Sequence, residues 1–133
     1  MHTTEGLVSK PCAGSVETVW NHLLETLKTL NVPLFATVDH AANARAAGLF
    51  MPETRVAFFG KPAVGTHLML ERPEVALELP LRIVISEVPG EGTMLFMPDI
   101  LWLAHRYGID PQLDSLRKTL GFMALVSDKV CGD

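Results

Sequence analysis

The chain has 133 residues, 48% of them hydrophobic and 20% charged, which is the size of one ordinary domain able to bury a core without a metal or disulfide. A mean hydropathy of +0.25 excludes a disordered chain, and the longest apolar run outside the strands, Phe122 to Val126, is far short of the ~20 residues a membrane span needs. The formal charge is −4, and Arg82, Arg106, Arg117 and Lys118 are too dispersed to form a basic stripe that could displace counterions from phosphates, which argues against a nucleic-acid partner.

Along the chain, Gly6 to Lys10 reads as a short first strand closed by Pro11 and Gly14. A helix follows: Ser15 is its N-cap, Glu17 lies at the positive end of its dipole, and Val16, Trp20, Leu23, Leu24, Leu27 and Leu30 form one stripe. Asn31 suits the left-handed residue beyond the helix end, and Pro33 prevents continuation. Leu34 to Val38 is a second strand, and Asp39 or His40 caps the alanine-rich segment Ala41 to Ala47. The stretch Val56 to Leu70 is the organising one: a strand from Thr54 to Phe59, a stop at Gly60, a turn at Lys61-Pro62, and a short helix whose apolar side is Val64, Leu68 and Met69.

Glu71-Arg72-Pro73 marks a loop, and Leu81 to Val88 is a strand apolar enough to lie at the centre of a sheet. Pro89 to Gly92 turns it into an antiparallel partner, Thr93 to Met97. Asp99 caps a helix that Gly108 ends, and Asp110-Pro111 suits the start of a final helix reaching about residue 131, with Leu113, Leu116, Leu120, Met123 and Val126 as its stripe. Its second half is apolar nearly all round, which points to a subunit interface, a dimer being favoured. The whole reads as one domain, residues 1–133.

Candidate chemistry is sparse. Gly60-Lys61-Pro62-Ala63-Val64-Gly65-Thr66 has two glycines between a strand and a helix, but Pro62 removes an amide and Lys61 stands at the wrong end for a nucleotide triphosphate loop. An anion held at this helix start, with Lys61 adding charge, survives as a weaker reading. His22, His40, His67 and His105 lack the spacing of a metal motif, so no metal is assigned, and no cofactor is indicated. Cys12 and Cys131, at opposite ends of the sequence, read as two free thiols in a reducing compartment. The opening residues Met1 to Gly6 lack the basic flank and apolar core of a secretory signal, so a cytoplasmic protein is expected.

Several linked motifs carry a family resemblance: Val38-Asp39-His40-Ala41-Ala42, Gly48-Leu49, Phe59-Gly60-Lys61-Pro62 with Gly65-Thr66, Ala76-Leu77-Glu78-Leu79-Pro80-Leu81, Leu103-Ala104 and Tyr107-Gly108. In order and spacing they resemble the bacterial and archaeal domain of unknown function 302 over about residues 5–110. The resemblance implies a two-layer α+β sandwich, an antiparallel-rich sheet of four to five strands with helices on one face, often homo-oligomeric, and it brings no agreed activity. Lys61 stands where the family has Asn.

The leading expectation is therefore a non-catalytic, homo-oligomeric binding module with His40, Gly60, Lys61, Gly65, Thr66 and His67 as candidate ligand contacts. The alternative is a small-molecule or metal-dependent enzyme whose cleft gathers His40, Lys61, Thr66 and His67 where the ends of the second and third strands meet.

Overall fold

The computed structural model describes residues 4–132. Met1, His2 and Thr3, part of the opening segment read above, lie outside the described residues. Five strands, β1 (Leu7–Pro11), β2 (Leu34–Asp39), β3 (Thr54–Phe59), β4 (Leu81–Val88) and β5 (Gly92–Pro98), form one sheet in the order β1-β5-β4-β3-β2, every neighbour antiparallel. Five helices accompany them: α1 (Val16–Thr29), α2 (His40–Ala46), α3 (Pro62–Glu71), α4 (Ile100–Tyr107) and α5 (Asp114–Cys131). A 3-10 helix, Pro73–Glu78, joins α3 to the cis peptide Leu79-Pro80 ahead of β4.

Central β4 alternates as half-buried antiparallel strands do: Leu81, Ile83 and Ile85 are buried, while Arg82, Val84 and Ser86 are only partly covered. Across the ladders Phe59 sits opposite Leu81, Ala57 opposite Ile83 and Leu95 opposite Ile85, so these residues share the buried face. The helices gather on α5, which touches α1, α3 and α4, and α1 also reaches β4. From α1, Leu23 and Leu27 enter this core almost without exposure, each contributing about 1.5–3 kcal/mol by burial.

Local chemistry sets most boundaries. The Ser15 hydroxyl accepts the Thr18 amide at 3.1 Å and begins α1; Asn31 ends it with φ 57°. Asp39 accepts the Ala42 amide at 2.9 Å, and Asp99 accepts those of Leu101 and Trp102 at 3.1 and 3.3 Å, starting α2 and α4. Gly108 closes α4 in the left-handed region at φ 66°.

Two sequence expectations are corrected. The last helix starts at Asp114, not at Pro111, because Asp110 folds a turn instead, accepting the Gln112 amide on its side chain and the Leu113 amide on its carbonyl. Cys12 and Cys131 are joined in a disulfide and are not free thiols: the end of β1 meets the end of α5 with the two Cα atoms 4.5 Å apart. The ion pair of Lys10 with Asp128 and a 3.3 Å hydrogen bond from Lys10 to the Gly132 carbonyl hold the same two elements together.

A cleft at one end of the sheet

β3 ends at Phe59, and the chain leaves the sheet through Gly60 and Lys61 into α3, where Pro62 occupies a first-turn position whose amide would have no partner anyway. Between this exit, α3, the 3-10 helix and α5 lies a cleft of about 500 Å³. Its inner wall is Phe59, Leu68 and Leu81, all buried. Phe59 meets Phe122 of α5 edge to face with ring centroids 6.0 Å apart, which fixes the junction of sheet and helix at the cleft. Ala76, Leu79 and Pro80 line another side, opposite Gly65. A Cβ added at Gly65 would stand 3.6 Å from the Leu79 side chain, so the glycine sets the local width.

The outer wall is completed by Phe35. In β2 the register slips between Leu34, opposite Phe59, and Ala36, opposite Phe58, so Phe35 is an extra residue at a bulge. A bulge re-aims a side chain, and Phe35 lines the cleft despite belonging to the edge strand.

Polar groups at the cleft are few. The Thr66 hydroxyl donates to the Pro62 carbonyl at 2.7 Å, and the Thr119 hydroxyl donates to the Ser115 carbonyl at 2.8 Å, so both protons are committed within their own helices. The charged side chains of the lining are Lys61 and Lys118. Lys118 pairs with Asp114 one turn away at 3.0 Å, with both side chains largely in solvent.

One contact braces the cleft from behind. The Tyr107 hydroxyl donates to Glu78 at 2.5 Å, tying α4 to the 3-10 helix just before Leu79-Pro80. The bond to the Glu78 carboxylate holds the Tyr107 phenol above its ordinary pKa, with desolvation and the negative charge of Glu78 acting in the same sense and Arg106 opposing them.

Of the residues singled out in the sequence, Gly60, Lys61, Gly65 and Thr66 meet at this cleft. His40 and His67 do not line it: His67 is on the exposed side of α3, and His40 opens α2 at the other end of the sheet. The ends of β2 and β3 would meet only if the strands were parallel. They are antiparallel, with Asp39 opposite Arg55 and Leu34 opposite Phe59, which leaves His40 about 20 Å from Gly60 along the strands. His40 instead adjoins a surface charge cluster in which Arg55 approaches Asp39 and Glu53 at 3.9 Å each and lies over Trp20 at 6.0 Å. Among the described residues, no group of three or more His, Cys, Asp and Glu side chains could hold a metal ion.

The rest of the lining was not singled out as ligand contacts in the sequence, Phe35, Ala76, Leu79, Lys118, Thr119 and Phe122 among them. A partial signal exists in α5, where the four-residue spacing of Lys118 and Phe122 puts them on one helix face.

Comparison with known proteins covers most of the chain. A family model described as domain of unknown function DUF302 matches residues 8–124. A crystal structure of an uncharacterized conserved DUF302 protein from Bacillus stearothermophilus superposes with a TM-score of 0.81 at 17% identity, over 96% of this chain and 99% of that one, and so shares the fold. Two curated relatives, fluoride-specific ion channel FluC 1 of Brucella suis and FluC 2 of Brucella melitensis, are each 32% identical over 115 residues. The match covers 86% of this chain but 45% and 43% of those relatives, so the chain spans less than half their length. No helix among the described residues is long and apolar enough to cross a membrane. On the family match, the α+β sheet architecture and the shared motifs, the chain belongs to the DUF302 family.

Proposed function

We propose that this chain is a binding unit that holds a small, largely apolar molecule in the cleft between β3, α3 and α5. The observation that carries the reading is the lining: hydrocarbon side chains from separate parts of the chain surround about 500 Å³ of space, within the size range of small-molecule sites. Gly60, Lys61, Gly65 and Thr66 would be contacts. The enzyme alternative is less favoured, because a general acid or base must reach the reacting atoms and His40 and His67 stand outside this lining.

The match takes in less than half of the FluC-named relatives, and ion conduction is not proposed for this chain. The Cys12–Cys131 bridge supports a compartment in which disulfides persist over the reducing cytoplasm. Self-association through α5 would have to use a narrow strip, Gly121, Ala124 and the half-exposed Leu125, since Leu116, Met123, Val126 and Val130 are buried within the chain.

The test is titration with the neutral fluorophore N-phenylnaphthylamine. Saturable one-to-one binding is expected, with at least tenfold weakening in Ala76→Trp, which fills the cleft from an exposed position without disturbing the core. Absence of saturable binding, or equal binding by the variant, would overturn the proposal.

A further inference from the structure

We infer that the molecule held in this cleft is an amphipathic monoanion, an apolar chain or ring carrying one carboxylate, with its head group between Lys61 and Lys118. The inference deepens the binding reading above and rests on it. Its basis is a sorting of chemistry by depth. The buried side chains Phe59, Leu68 and Leu81 form the inner wall, where an unpaired polar group would cost free energy, so the apolar part goes inward. Lys61 is exposed and the Lys118 side chain is 64% exposed, so the charges stand at the rim, in water.

Both charged side chains of the lining are cationic, and no Asp or Glu is among the lining residues, on a chain whose overall charge is −4. A ligand cation would be repelled there, and a neutral ligand would gain nothing from either ammonium group. Lys118 is available to a ligand because its link to Asp114 is a solvent-exposed pair one helical turn apart, the weakest kind of ion pair. Lys61 is the N-cap of α3 and makes no side-chain capping bond. A carboxylate at the rim would accept from both ammonium groups while its hydrocarbon covers Phe122 and Leu79.

The experiment is displacement of N-phenylnaphthylamine by dodecanoate, dodecanol and dodecylamine, each below the concentration at which it aggregates. Dodecanoate is expected to bind about tenfold more tightly than dodecanol, the scale of two exposed ion pairs, and dodecylamine more weakly than either. The double variant Lys61→Gln/Lys118→Gln, both sites being exposed, should bring the ratio of dodecanoate to dodecanol affinity down from about ten to about one. Raising the salt concentration should weaken dodecanoate alone. If probe and alcohol bind but the carboxylate is no better, or the double variant keeps the preference, this inference falls and the binding reading stands. If neither probe nor alcohol binds, both fall.

Discussion

Replacing both Cys12 and Cys131 by alanine removes the covalent link between the first strand and the last helix without leaving an odd thiol. The bridge spans a sequence separation of 119, and in the chain-entropy account closing a loop of that length destabilises the unfolded state by about 5 kcal/mol at room temperature. That is a large part of the roughly 5–15 kcal/mol by which domains are stable. With an unfolding entropy of about 2 cal/mol/K per residue over 133 residues, the loss corresponds to a fall of about 19 °C in Tm. Cys12 is buried, so truncation also forfeits some packing, whereas the Lys10–Asp128 ion pair remains and limits separation of the two ends. Calorimetry of the wild type, the reduced wild type and the double variant measures this directly. A Tm unchanged to within about 2 °C in both altered forms, or two titratable thiols in the unreduced unfolded protein, would refute the reasoning.

Gly6→Ala should destabilise by about 2–4 kcal/mol: the glycine has φ 85°, and an added Cβ would lie 2.8 Å from the Trp102 ring, so strain and overpacking combine. Denaturant melts check it, and a loss under about 0.5 kcal/mol would mean that Trp102 moves aside freely. Tyr107 is the single tyrosine, so the phenolate absorbance band reports it alone. Its midpoint should lie above the ordinary value near 10 and fall in Glu78→Gln. Because the folded-state pKa is raised, the stabilisation from this group is complete below the unfolded pKa and is lost as pH rises through the folded one. A midpoint at or below 10 in the wild type contradicts the contact. Leu125→Glu should abolish any self-association through α5 with little effect on Tm, read by light scattering; a wild type that is already monomeric removes the oligomer from the reading.

The parts legible in the sequence are those governed by short-range chemistry. Ser15, Asp39 and Asp99 each satisfy amides within three residues, so their helices announce themselves locally. The apolar run of β4 correctly indicated a central strand, although Val84 is covered less than burial on both faces would require. Asp110-Pro111 misled because the same Asx chemistry starts both turns and helices, and only the packing of Leu116 onward decides which residues join the helix. The disulfide and the cleft were illegible for a different reason. Cys12 meets Cys131, and Phe35 lines the same space as Phe122, only after the sheet order and strand directions are set, and local signals do not fix those. One fact separates His40 from Gly60, the antiparallel direction of β2 relative to β3, and no residue near either one carries it.

The irregularity at Phe35 has a second effect, on how the molecule behaves in a crowd. β1 and β2 are the outer strands of the sheet, and an outer strand with a straight row of free amides and carbonyls invites a stranger's strand to extend it. Pro11 removes one donor from β1, and the bulge breaks the even spacing of β2 where Leu34 and Phe35 are exposed. Deleting Phe35 would straighten that border as well as open the cleft wall, turning an apolar margin into a template for sheet growth. The residue that shapes the cavity thus also guards the protein against aggregation.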